Sequence, residues 1–364
     1  MRRANTRAAA GILLLGLLIL LANGADSAAD MIRERLRLCA DTLIPSLFGC
    51  MLLAELLCRS GAGERLGAHL RLFGRAVGLS PALTGIFLVS QLAGYPAGAM
   101  LLRREAECGR ISQQDAGRLA CAAYGGGPAF LVGLCGVQLF GSAAAGWVML
   151  AACILANCAA VRILRPRETV GAVPETVRPG GAELLTGSAA QTVSALMQIC
   201  GVVLCFGLIS WTAERLGVLR LLTSLGAAAG LSAQTVRALF AALLDVTQLT
   251  GLLHCGMRFS VLLPLAAGML SFGGICVQVQ CIALGVRGQR FAELICVRLL
   301  TAILAALLTA AAVPFLPMPA EIPAFAQRAA ISQTGSVLPA VMILLTGFPV
   351  FLCNTGAHGV NRAR

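Results

Sequence analysis

SQLAGYPAGAM, residues 90–100, lies between apolar runs where a membrane helix would ordinarily continue unbroken. Proline lacks an amide hydrogen and clashes with the preceding turn, while glycine reaches backbone conformations closed to other residues. The stretch therefore predicts a break, with Ser90, Gln91, Gly94, Tyr95, Pro96 and Gly98 around it. At membrane depth the freed carbonyls and amides have no bulk water to bond. They must line a protein-enclosed or wet cavity rather than face lipid.

Composition supplies the membrane setting. Of 364 residues, 58% are hydrophobic and 12% charged, against about 25% charged in soluble domains. Apolar segments recur near residues 9–24, 42–58, 82–102, 116–138, 142–164, 190–211, 232–255, 259–285, 294–315 and 337–353. Many approach the length that spans a bilayer. The expected fold is all-α: a polytopic helical membrane protein with an internal repeat and discontinuous or re-entrant helices.

Net charge is +12, and the 28 basic side chains are all arginine. They lie in short links between apolar runs, as in membrane loops, rather than on a basic face with aromatic platforms. No nucleic-acid partner is expected. Most of the 15 cysteines sit inside apolar runs, no Cys-x-x-Cys occurs, and there are 3 histidines. Cysteine here reads as a small packing residue, so no metal and no cofactor are expected. Hydrolase, zinc-protease and phosphate-loop motifs are missing and the loops are short, so no enzyme activity is expected.

Arg2, Arg3 and Arg7 precede the first apolar run in the manner of a signal peptide. The polytopic chain that follows favours an uncleaved first helix with its N-terminus in the cytoplasm. In MIRERLRLCADTLIPSLF, residues 31–48, arginine alternates with apolar residues, which suggests a segment along the outer interface up to residue 40. The Pro-, Gly- and charge-rich stretch after residue 164 is the one clear linker. The expected division is 1–40, a first repeat at 41–164, a linker at 165–189, a second repeat and last helix at 190–353, and a tail at 354–364.

The repeat rests on four pairs in the same order. ERLG occurs at Glu64–Gly67 and Glu214–Gly217, and GLSPA from Gly78 answers GLSAQ from Gly230. AGYPAG ends at Gly98 and VTQLTG at Gly251; YGGGPAF begins at Tyr124 and SFGGICVQVQ at Ser271. Paired interrupted segments in two halves point to a transporter-type site near the midplane. Arginine placement adds topology. The loops 59–75 and 103–118 each carry four arginines, and both belong in the cytoplasm by the positive-inside tendency. The segment between them then turns back as a re-entrant hairpin with Gly94–Gly98 at its tip; the alternative is a Pro-kinked helix that crosses once.

Each break has a plain packing reading beside the functional one. Tyr124, Gly125, Gly126, Gly127 and Pro128 cannot form regular helix. Asp245, Thr247, Gln248 and Thr250 interrupt an apolar run, and an intramembrane carboxylate costs about 2.5–3.5 kcal/mol on insertion scales. Asp245 either serves a solute, cation or proton, or pairs with an arginine. Ser271, Gly273, Gly274 and Gln278 form the fourth break. Glu55 is a second acid for ion or proton coupling, or simply reaches the interface.

IPSLFGCMLLAELL from Ile44, GYPAGA from Gly94, GGPAFLVG from Gly126, LDVTQLTG from Leu244 and SFGGICVQVQ from Ser271 carry a resemblance. Together they resemble the YlbJ-type sporulation integral membrane proteins, within the wider group with a nucleoside-recognition (Gate) domain. That group includes the spore maturation proteins A and B. The resemblance implies Gate-like repeats in a multi-pass cytoplasmic-membrane protein acting in spore formation. "Nucleoside" in the domain name assigns no substrate. Met100 stands where the family usually has Lys, Asp245 where it tends to have Glu, and AAYGG replaces a more polar stretch. The lost Lys removes a charge that would face Glu55 or Asp245. Two functions follow as expectations. One is a transporter or channel for a small polar solute; the other is a scaffold that binds a second copy or other sporulation membrane proteins. The bilayer is a partner in both.

Overall fold

The computed structural model describes residue 16 and residues 18–164, 180–287 and 289–316. The start of the first apolar segment, residues 165–179, the segment 337–353 and the tail lie outside the described residues. Those described are helical, without strands, and include five helices long and apolar enough to cross a membrane.

The first is α1, Ala25–Arg59, a continuous helix of 35 residues. The interfacial segment expected up to residue 40 is instead its first half, packed against a later span. Its winding loosens to π form at Cys39–Leu43, just before Pro45, which has no amide hydrogen to offer the carbonyl of Asp41. Short helices α2 (Ala62–His69) and α3 (Arg71–Val77) follow. The axis then turns by 87° into α4, Pro81–Ala93.

After Gly94-Tyr95-Pro96 the chain resumes as α5, Ala97–Glu107. A Cβ on Gly98 would run into the side chain of Ser90 and the carbonyl of Ala123. Residues four before and four after Gly94 thus touch, whereas eight residues of continuous helix would separate them by about 12 Å. The pair is a hairpin, not a kinked helix. Its 13-residue first arm is about 20 Å long, short of the roughly 30 Å hydrocarbon core.

α6 (Gln113–Ala120) leads through residues 121–128 into α7 (Ala129–Leu139), wound in π form behind Pro128, and then the 22-residue span α8 (Ala143–Leu164). α9, Gly181–Arg215, begins inside the stretch expected as linker, so residues 181–189 are helix. α10 (Val218–Ala228) and α11 (Ala233–Leu244) follow. Ser232 caps α11 through Thr235, as Ser80 caps α4 through Leu83. At Asp245 the chain turns back as α12, Val246–Cys255, in 3₁₀ form. A Cβ placed on Gly251 would sit 3.4 Å from that of Ala238, so this too is a hairpin. α13 (Phe259–Phe272) and α14 (Gly274–Leu284) form one broken span, followed by α15, Phe291–Ala312.

Contacts sort the helix ends onto two sides. At one end Glu55 meets Arg104 at 3.8 Å, Arg118 meets Glu293 at 4.0 Å, Gly78 lies beside Arg162, and Gly187 lies beside Arg59. At the other, Phe140 packs edge-on to Phe259 at 6.0 Å, and Trp211 Nε1 donates to Ser27 Oγ at 3.1 Å. Among the described residues, α1, the α6–α7 segment and α8 therefore each run from one end to the other before α9. The hairpins α4–α5 and α11–α12 enter from opposite sides.

One sequence pair does not survive as a positional match. Glu64–Gly67 lies within α2, whereas Glu214–Gly217 ends α9 and caps α10.

Candidate functional site

Each hairpin tip packs against the break that follows it in the chain. A Cβ on Gly127 would lie 3.0 Å from the carbonyl of Leu92 and 3.2 Å from the amide of Gly94, and one on Gly274 would lie 2.9 Å from the amide of Val246. The two breaks also meet each other. Gly273, at φ 81°, turns α13 into α14 directly under the Tyr124 ring, where no side chain would fit.

The turn at Gly273 strips the carbonyls at the end of α13 of their helical partners. Side chains from elsewhere supply donors. Tyr95 donates its hydroxyl hydrogen to Leu270 O at 3.1 Å, and Tyr124 does the same for Phe272 O at 3.1 Å. Gln278 Nε2 donates to Phe272 O at 3.3 Å, and Arg298 Nη1 to Ser271 O at 3.3 Å.

On the other side Asn157, from α8, ties the layers together. Its Nδ2 donates to Gln91 Oε1 at 2.8 Å and to Tyr124 O at 2.6 Å, while its Oδ1 accepts from Arg298 Nη2 at 3.0 Å. Gln91 Nε2 in turn donates to Ser90 Oγ and Ala122 O. The Arg298 guanidinium lies 4.5 Å over the Tyr124 ring, and the Tyr95 and Tyr124 rings are 5.0 Å apart. Ser90, Gln91, Tyr124, Asn157, Ser271, Gln278 and Arg298 are all buried. Arg298 is 0% exposed, which makes it a cation held wholly inside the protein.

The structure thus gathers Ser90, Gln91, Gly94, Tyr95, Pro96, Tyr124, Gly125, Gly126, Gly127, Pro128, Ser271, Gly273, Gly274 and Gln278. Gly98 serves the close approach of the hairpin arms. Thr247, Gln248 and Thr250 do not join the centre: they follow one another along α12, and Thr250 is exposed. Asn157 and Arg298 were missed by sequence reasoning, although an arginine inside an apolar run is a signal in itself.

The two acids sit apart from this centre, each beside an arginine. Asp245 is buried at the second hairpin tip, with its Oδ1 accepting from Thr247 N at 3.0 Å and its Oδ2 3.5 Å from Arg35 Nη1. The pair is close enough for charge attraction but makes no hydrogen bond. Arg35 of α1 stands beside Asp245, and Arg104 of α5 beside Glu55. No group of three metal-ligating side chains occurs among the described residues.

Fold and site together define a multi-pass helical membrane protein with paired discontinuous segments. The chain is 33% identical over 120 residues to the sporulation integral membrane protein YlbJ of Bacillus subtilis strain 168. The match covers 33% of this chain and 29% of that protein, so it spans under a third of the relative's length. No protein-family model matches the chain, and no solved structure matches it.

Proposed function

We propose that this protein moves a small polar solute across the cytoplasmic membrane of a spore-forming cell, without enzyme chemistry. Its two inverted halves would rock around the four breaks. The observation that carries the reading is the meeting of the α13 carbonyls with the side chains of Tyr95, Tyr124, Gln278 and Arg298 inside the fold. Interrupted backbone from two oppositely oriented hairpins is the arrangement that alternating access uses. Every one of those partners is a side chain that rotation can withdraw, exposing the carbonyl to a solute. Among the described arginines, Arg59, Arg65, Arg71, Arg75, Arg103, Arg104, Arg110, Arg118, Arg162, Arg287 and Arg290 lie toward one end, against Arg33, Arg35, Arg37, Arg215, Arg220, Arg237 and Arg258 toward the other. By the positive-inside tendency the first end is cytoplasmic. The similarity to a sporulation protein supports a role in spore formation.

A second reading is a scaffold for spore-envelope assembly, binding a second copy or other membrane proteins. The fact that favours it is that the carbonyls of residues 270–272 already have internal donors.

Proteoliposome uptake of radiolabelled nucleosides, amino acids and dicarboxylates separates the two. Transport predicts accumulation above empty liposomes and its loss in Gly126→Leu, whose side chain would press on Tyr95 and Leu131. Absence of uptake by folded wild type across the panel would support the scaffold.

A further inference from the structure

Arg298 presents an imbalance that the fold leaves standing. A guanidinium has five N–H donors and a charge that does not titrate away in proteins. Two donors have acceptors, Ser271 O and Asn157 Oδ1, and both acceptors are neutral. Its Nε, fully buried, has none. Among the described residues no carboxylate lies within ion-pair distance, in contrast to Arg35, Arg104 and Arg110, each beside an acid. The Tyr124 ring and the C-terminal end of α13 offset the charge only in part, each with a fraction of a unit.

The surroundings hold further unmatched capacity, since Ser271 Oγ and Gln278 Oε1 are also buried without hydrogen-bond partners. A buried charge is ordinarily paired. Guanidinium in particular suits the flat, two-oxygen geometry of a carboxylate or the oxygens of a phosphate.

We infer that the solute taken at this centre is an anion, whose carboxylate or phosphate oxygens pair with Arg298. This rests on the reading of the four breaks as a solute site. Asn157 and Tyr124 act as positioning residues that hold the guanidinium beneath the two breaks.

The test is thermal unfolding of the full chain in detergent, at constant ionic strength set with sodium chloride in a buffer free of carboxylate and phosphate. The probes are succinate, inorganic phosphate and uridine. Succinate or phosphate should raise the melting temperature saturably, which also distinguishes carboxylate from phosphate chemistry. Arg298→Gln should weaken the apparent affinity about tenfold or more. Asn157→Asp, which sets a carboxylate against Arg298 and keeps the side-chain size, should abolish the response in a folded protein. Stabilisation by uridine and not by either anion would leave the centre as a site and overturn the anion. Anion stabilisation unchanged in both variants would place the anion elsewhere and overturn the role of Arg298. No response to any probe would overturn the anion, and uptake would then decide the site reading separately.

Discussion

Arg35→Ala is expected to destabilise the protein by about 3–5 kcal/mol, because it strands the Asp245 carboxylate in a buried position. Asp245 is 5% exposed and holds one internal donor, Thr247 N, for its Oδ1. The opposing term is relief from burying Arg35, whose Nε and Nη1 have no hydrogen-bond partner. The stranded carboxylate should outweigh that relief. The double variant Arg35→Ala with Asp245→Asn should therefore recover most of the loss. Thermal and denaturant unfolding in detergent measure both. Equal destabilisation in the single and double variants would assign the effect to packing of α1 against α9.

Asn157→Leu is the second large effect. The two side chains have the same number of heavy atoms, but the methyls of Leu are bulkier than the amide, so some overpacking against Gln91 and Tyr124 adds to the loss. What is lost is a hub: Gln91 Oε1 and Tyr124 O lose their donor, and Arg298 Nη2 its acceptor. At about 1–3 kcal/mol for each buried polar group left unmatched, the total is about 3 kcal/mol or more. Asn157→Asp keeps an acceptor and adds a charge facing Arg298, but it sets its second oxygen against Tyr124 O and Gln91 Oε1, so it should still cost about 1–3 kcal/mol. If Asn157→Leu unfolds as wild type does, the centre is not held by this network.

Much of this was legible in the sequence because helix breakers act locally. Pro96 with Gly94, the glycines before Pro128, and Gly273–Gly274 each mark a real interruption. The arginine-rich flanks of residues 82–102 correctly favoured a hairpin over a kink. What escaped depends on which way a helical side chain faces. Arg33, Arg35 and Arg37 look alike in the sequence, yet Arg35 is buried against Asp245 while the other two are exposed. That burial comes from packing of α1 against the second hairpin, which the alternation of arginine with apolar residues does not reveal. Asn157 lies in an unbroken apolar helix with no local mark, and only the approach of the hairpin tip gives it partners. Arg298 was legible as a charge within an apolar run, but its role depends on α15 standing beside the α13 break. The ERLG match misled because four residues identify a word and not a position in a helix.

The central claim is that two hairpins enter from opposite sides, the first tip joining the Gly125–Gly127 and Gly273–Gly274 breaks at one buried centre and the second tip packing against Gly274. Its most direct test is side-specific labelling of single cysteines in a cysteine-free background, using a membrane-impermeant maleimide on intact cells and on inside-out vesicles. The positions are Arg71→Cys, Gln114→Cys, Gln234→Cys and Arg258→Cys, all exposed and flanking the hairpins. Residues 71 and 114 should label together from the cytoplasmic face, and residues 234 and 258 together from the opposite face. Labelling of 71 and 114 from different faces would mean that α4–α5 crosses the membrane, and the centre described here would come apart.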